Sequence, residues 1–388
     1  MNICRKSVFN VLVIGKNTTP TLATDFTVRF GRRFWSTTMS TRSFDIGKEK
    51  KDFFNALPNI IDNLAEHPKF QELPIAKEWM KKVINGTVPG GKASRGLTTV
   101  MSFKMVEQPE YITKETIRLA HALGWCTEFL QAYCVVLDDI VDGSLTRRGQ
   151  PCWYRREDVG MAHAVNDATL IYYSIHRILK NYFEKSPIYV KLYQAFNETL
   201  FNTSFGQFLD IRGSEHKKRY ESFTRENYEE IIKYKTAYYT YKLPISIGLM
   251  LANKYSEETK SNCEDISFQL GKLFQIQDDY IDCFGDESLT GKKGTDIQEG
   301  KCTWLAVNAL ERCNKNNRAV FAACYGSKEP AHVERIKQLY TQLKLPQFYK
   351  EEERQMYNNV VHKIKIISSQ AERELFNRLL DMTYDRKK

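Results

Sequence analysis

The chain has 388 residues, 42% of them hydrophobic, enough to bury a large core in one or two domains. Its net charge of +10 gathers into no long basic stripe, so a nucleic-acid surface is not expected, and no apolar run approaches the ~18–20 residues of a membrane span. Nine scattered cysteines without a Cys-x-x-Cys pair fit a reducing compartment, and seven histidines without ligand spacing argue against zinc.

The basic excess is concentrated at the N-terminus. Residues 1–44 carry seven basic side chains (Arg5, Lys6, Lys16, Arg29, Arg32, Arg33, Arg42) against Asp25 alone, leaving 50 basic and 46 acidic residues in the rest. Rich in Ser and Thr, positions 1–42 read as a disordered mitochondrial targeting segment; a disordered basic tail is the plainer reading. Met39 offers an internal start that would give a cytosolic form. From residue 43 to 388 the pattern is that of one helical domain, with no strand alternation and no glycine-rich nucleotide loop.

Within it, Gly90-Gly91-Lys92-Ala93-Ser94-Arg95-Gly96 sets two cations one turn apart after paired glycines, a candidate anion site at a helix start. A helix is expected over 116–142, where apolar residues recur at helical spacing up to Asp138-Asp139-Ile140-Val141-Asp142, with Gly143 as its stop. The loop 143–151 follows with Arg147 and Arg148. Helices over 167–184, 190–210 and 228–250 come next, the last containing Lys233-Tyr234-Lys235-Thr236 among tyrosines. A helix over 264–282 ends in a second pentad, Asp278-Asp279-Tyr280-Ile281-Asp282, and the loop 284–300 brings four glycines with Lys292 and Lys293. Both glycine-bearing loops stand where a diphosphate lid would be expected.

The first and last carboxylates of each pentad lie at i and i+4 on one helix face, a like-charge pair that destabilises a bare helix. A lone acidic run is most simply a solvated helix end. Two copies, each closing an apolar helix, read instead as a two-sided clamp for a Mg²⁺-diphosphate, since Mg²⁺ favours a few carboxylates plus phosphate oxygens. Gln275 stands four residues before Asp279 and Gln131 seven before Asp138, each on the acidic face of its helix.

These segments, GGKASRG (90–96), QAYCVVLDDIVDGSLTRRGQPCW (131–153), GQFLD (206–210), KYKTAYY (233–239), FQIQDDYIDCFGD (274–286) and TGKKGTDIQEGKCTW (290–304), with the basic C-terminus, resemble the trans-isoprenyl diphosphate synthases of farnesyl and geranyl type. The resemblance implies an all-α bundle around a deep central cavity, usually a homodimer, joining an allylic prenyl diphosphate to isopentenyl diphosphate with three Mg²⁺ ions per active site. It assigns Asp138, Asp142 and Asp278 to the metal, with Asp139, Asp279, Asp282, Asp210 and Asp296 in support. Arg147, Lys235, Thr236, Gln275, Lys292 and Lys301 would hold the allylic diphosphate, and Lys235, Thr236 and Gln275 would face the carbocation. Gly91, Lys92, Arg95, Gln131 and Arg148 would hold isopentenyl diphosphate.

Tyr133 and Cys134, one turn deeper than Asp138, would limit chain length; family members commonly carry two aromatic residues there. The family also commonly has Asn at Ser94 and Asp-Asn at Glu299-Gly300. Such departures leave a second reading open, a terpene synthase that ionises a prenyl diphosphate without condensation.

Overall fold

The computed structural model describes residues 44–215, 220–285 and 294–384. Lys292, Lys293, the basic C-terminus and the expected targeting segment lie outside the described residues. The architecture is all-α, as expected. Its first part is α1 (Ile46–Ala65), α2 (Lys69–Glu72), α3 (Pro74–Thr87), α4 (Ser94–Val106), α5 (Lys114–Val141), α6 (Gly160–Phe183) and α7 (Tyr189–Glu215). Then come α8 (Arg225–Ile231), α9 (Leu243–Leu251) and α10 (Glu257–Phe284), with shorter and longer helices following to Tyr384.

α5 is the central element. Thr113 caps it, its hydroxyl accepting from the Thr116 N–H at 3.2 Å, and every residue from Ala120 to Leu130 is buried. A helix apolar all round belongs in a core. α4 approaches α5 so closely that a Cβ on Gly124 would lie 2.8 Å from the Gly96 carbonyl. Phe53 of α1 covers the crossing, stacked on Trp125 at 4.5 Å. From Gln131 onward burial relaxes on one face of α5, and there the expected site residues begin.

The helix expected over 228–250 is not one regular helix. Between α8 and α9 the chain runs as a π-helical segment, Ile232–Lys242. Bonding from i to i+5 widens the coil, and its neighbours make room with glycines. A Cβ on Gly206 of α7 would collide with the Tyr234 and Lys235 backbone, and one on Gly271 of α10 would stand 2.6 Å from the Ala237 Cβ. The segment is thus wedged between α7 and α10, which carries Lys235 and Thr236 toward the acidic helix ends.

One strand pair departs from the expectation of none. Thr146–Arg147 pairs antiparallel with Gln150–Pro151, and Arg148 and Gly149 form the two-residue turn with φ of +54° and +74°. Such turns need positive φ at both central positions, which ordinarily selects Asn or Gly. Arg148 takes it without that advantage, a strain typical of functional positions.

Candidate active site

The end of α5 places Asp138, Asp139 and Asp142 against three cations from three different parts of the chain. The Lys235 ammonium donates to Asp138 Oδ1 at 3.1 Å and to Asp210 of α7 at 2.5 Å. Lys301 donates to Asp142 Oδ2 at 2.7 Å, with Glu299 Oε2 at 3.1 Å. Arg147 donates through Nε and Nη2 to Asp139 Oδ1, at 2.9 and 2.5 Å. Asp138 also accepts from Gln207 at 3.2 Å.

Burial alone would raise the pKa of Asp138, but Lys235 and Lys301 outweigh it and hold the carboxyl below the usual range. Asp142 shifts the other way: burial, with Asp138 and Glu299 beside it, outweighs Lys301 and raises it. For both lysines burial works against the charge. The carboxylates Asp210 and Asp138 around Lys235, and Asp210, Asp296, Asp142 and Asp138 around Lys301, nevertheless push their pKa values up. The acidic end therefore has room for more positive charge than the lysines bring.

The α10 pentad is joined to the same network. Asp282 Oδ2 accepts from the Asp296 N–H at 3.0 Å, and the field of Asp296 reaches Lys301. Asp278 lies beside Asp279. Asp279 itself is buried and points away from solvent, accepting from Tyr228 OH at 2.6 Å, the Trp304 N–H at 2.7 Å and Gln275 Nε2 at 2.9 Å. Burial still pushes its pKa up to about 7. Gln275 is in turn fixed by Thr236, whose hydroxyl donates to its Oε1 at 2.9 Å.

The donor set suits Mg²⁺, carboxylate oxygen being its preferred chemistry. Among the described residues no three carboxylates, imidazoles or thiolates converge closely enough to hold an ion by themselves. Mg²⁺ commonly binds through one or two carboxylates, waters and substrate phosphates, so the pairs fit that manner of binding. Asp139 Oδ1 is already engaged by Arg147 and Asp279 by three donors.

The second cluster, beside the first, is basic. Arg95 donates to Thr240 Oγ1 at 2.7 Å, and its guanidinium lies over the Tyr239 ring at 4.4 Å. Its Nε is buried without a partner among the described residues, as is Gln131 Oε1. Arg148 donates to the Pro89 carbonyl at 2.8 Å and would be struck by a side chain at Gly91. Burial, reinforced by the neighbouring Arg147 and Arg95, lowers the pKa of Arg148. Crowded guanidinium groups and the idle Arg95 Nε–H suit an anion. Lys92 stands exposed in the loop before α4, and Ser94 is exposed at its first turn.

Of the remaining expected residues, Tyr133 packs on Tyr172 of α6 at 5.4 Å. Cys134 is half-buried, its thiol pushed up to about 12 chiefly by burial. At Glu299-Gly300 the glycine ends the helix Asp296–Glu299 with φ of +72°, a conformation glycine enters without strain, and Glu299 reaches Lys301. Gln207, Tyr228, Glu128 and Thr240 were not foreseen. Gln207 lies within GQFLD, and Glu128, whose Oε1 accepts from the Gly96 N–H at 2.7 Å, is three residues before Gln131; the other two carry no sequence signal.

Residues 77–343 of this helical bundle match the polyprenyl synthetase family model, and the chain belongs to that family. Among its relatives, it is 41% identical to a farnesyl pyrophosphate synthase of Murgantia histrionica over 340 residues, covering 87% of this chain and 82% of that protein. It is 39% identical to the mitochondrial farnesyl pyrophosphate synthase 1 of Arabidopsis thaliana over 360 residues, 92% of each. The solved T. brucei farnesyl diphosphate synthase, complexed with risedronate, superposes with a TM-score of 0.83 at 32% identity, over 88% of this chain and all of that one.

Tyr228→Phe removes one of the three donors that stabilise the buried Asp279 carboxyl. A loss of about 1–3 kcal/mol is expected, seen as a lower urea midpoint with unchanged slope; an unmoved midpoint would show that the third bond contributes nothing.

Proposed function

We infer that this protein is a short-chain prenyltransferase that condenses an allylic prenyl diphosphate with isopentenyl diphosphate. The observation that carries the reading is the juxtaposition of an acidic cluster suited to a metal-diphosphate with a basic cluster suited to a bare diphosphate. Membership of the polyprenyl synthetase family, with relatives named farnesyl pyrophosphate synthase, supports it.

Mg²⁺ would be held by Asp138, Asp142 and Asp278, with Asp282 and Asp296 nearby, while Asp139 and Asp279 orient Arg147 and Gln275. Bound there, the metal neutralises charge developing on a leaving diphosphate. Lys235, Lys301 and Arg147 act on the same oxygens as the allylic C–O bond lengthens, because each is already aimed at the place where negative charge accumulates. Lys292, outside the described residues, is assigned to the same group by family resemblance. Lys235, Thr236 and Gln275 line the position of the allylic cation, and the hydrogen bonds from Thr236 to Gln275 and from Gln275 to Asp279 set which end of the Gln275 amide faces it. Gly91, Lys92, Arg95, Gln131 and Arg148 hold isopentenyl diphosphate so that its double bond attacks the cation. A diphosphate oxygen then takes the proton. Exclusion of water protects the cation from hydrolysis. Tyr133 keeps one wall of the channel for the growing chain, and Cys134 leaves the other lower.

Purified protein given Mg²⁺ and geranyl diphosphate is expected to yield farnesyl diphosphate only when isopentenyl diphosphate is added, and Asp138→Ala is expected to lower turnover by about 10²-fold or more. Hydrocarbon or alcohol formed from the allylic substrate alone would establish the terpene synthase reading instead.

The protein is also proposed to be a homodimer. Phe201, Phe205 and Phe208 of α7 lie on one helix face and are exposed, as are Met161, Val165 and Tyr173 of α6, an apolar surface larger than scattered single residues would leave. Light scattering should give twice the chain mass, and Phe205→Asp should halve it; a wild-type monomer refutes the dimer.

Residues 1–42 are proposed to direct the longer form to mitochondria, on the strength of their basic, acid-poor composition. C-terminally tagged chains starting at Met1 and Met39 should separate into mitochondrial and cytosolic distributions, and identical images would contradict this.

A further inference from the structure

α3 and α6 share a buried junction outside the reacting groups. Asp167 of α6 is completely buried, and its two carboxylate oxygens accept from different indoles: Trp79 of α3 at 2.7 Å and Trp153 at 2.9 Å. A buried carboxylate is costly unless its hydrogen bonds are met, and here one donor comes from each of two elements packed against α6. The Trp153 ring lies against Gly86 near the end of α3, where any side chain would collide with it. The Arg156 guanidinium covers that ring at 4.8 Å.

Following the chain outward from this junction leads twice to the same place. Three residues past Gly86 is Pro89, which opens the Gly90-Gly91-Lys92 loop; five residues before Trp153 is Arg148. Arg148 donates to the Pro89 carbonyl at 2.8 Å, closing a ring of contacts from Asp167 through Trp79 and α3 to Pro89, then through Arg148 and the hairpin to Trp153 and back. Next to Trp153, Tyr154 ties the hairpin's entry by donating to the Ser144 carbonyl at 2.8 Å. Arg147 needs none of this, because Asp139 holds it independently.

We propose that Asp167 is a positioning residue for the basic half-site: by holding the Trp153 indole against Gly86 near the end of α3 it sets the spacing between the Gly91–Arg95 segment and Arg148, and hence the grip on isopentenyl diphosphate. The proposal rests on the reading of that half-site given above. It assigns Asp167 no contact with substrate. Its effect should fall on isopentenyl diphosphate and spare the allylic partner, whose cations Lys235, Lys301 and Arg147 are anchored on carboxylates of α5 and α7.

The test exploits the single acceptor of an asparagine. In Asp167→Asn one indole N–H must face the amide NH₂. Adding Trp79→Phe lets the amide oxygen serve Trp153 and restores the anchor, whereas adding Trp153→Phe frees the hairpin for good. Asp167→Asn/Trp153→Phe is expected to raise KM for isopentenyl diphosphate about tenfold, with KM for geranyl diphosphate within about twofold of wild type, and Asp167→Asn/Trp79→Phe is expected to return both to about the wild-type values. Amide hydrogen exchange without substrates provides a readout independent of the reaction. Segments 86–95 and 144–153 should exchange faster together in Asp167→Asn/Trp153→Phe and recover in the Trp79→Phe combination. Trp153→Phe alone gives the same comparison should the double variants fail to fold. An unchanged isopentenyl KM, an equal rise in both KM values, or exchange that loosens only α6 would overturn the proposal. If wild type forms no condensation product, the functional reading falls and the exchange pattern decides this one alone.

Discussion

The structure turns on an excess of carboxylate at the end of α5 and on the separate cation each member receives. Lys235 comes from the π-helical segment, Arg147 from the hairpin and Lys301 from beyond the helix Asp296–Glu299, so three remote stretches meet because one helix end is acidic. Deleting one partner of a buried pair leaves an uncompensated charge, which costs far more than the pair contributes. Each pair is accordingly costly to break, while the apolar core around α5 holds together the helices that bring its members into reach. Asp142, whose pKa is raised despite Lys301, marks where the compensation is incomplete.

Helical geometry divides each pentad into two kinds of carboxylate. The first and last members share a face, while the second is rotated by roughly 100°. In both copies that second residue turns inward and is consumed by structure: Asp139 by Arg147, Asp279 by Tyr228, Trp304 and Gln275. The outward members Asp138 and Asp142 meet the ammonium groups of Lys235 and Lys301, which a metal could displace without orphaning a backbone donor. The inward aspartates set the orientation of the residues that act, Arg147 directly and Thr236 through Gln275.

Much of this was legible in the sequence because it depends on period and charge. α5 and α10 follow from apolar spacing ending in paired aspartates, and the cations of the Gly90-Gly91 loop and of Arg147-Arg148 follow from their placement after glycines and acidic helix ends. The π-helical segment was not legible: residues 232–242 keep helical character, and the widened bonding follows from Gly206 and Gly271 on helices distant in sequence. The hairpin was hidden for a related reason, since Arg148 occupies a turn position whose usual residues are glycine and asparagine. The Asp167 junction has no local pattern, because two tryptophans and an aspartate from three elements meet only after folding.

The two clusters also explain how one site could tell apart two ligands with the same diphosphate head. Along α5, Gln131 and Asp138 are seven residues apart, about 10 Å along a helix. Over that short span the unmet charge changes sign. At Arg148 burial and the guanidinium groups of Arg147 and Arg95 outweigh Glu128, whereas at Asp142 burial and the carboxylates of Asp138 and Glu299 outweigh Lys301. A bare diphosphate would be repelled by the carboxylates unless it arrived with metal, and a metal-bound diphosphate would bring cations into a cluster already rich in guanidinium. On the proposed reading the allylic and isopentenyl heads are therefore sorted by the charge they carry rather than by shape. The hydrocarbon tails need only be guided, one toward Tyr133 and Cys134 and the other toward the cation that the first leaves behind.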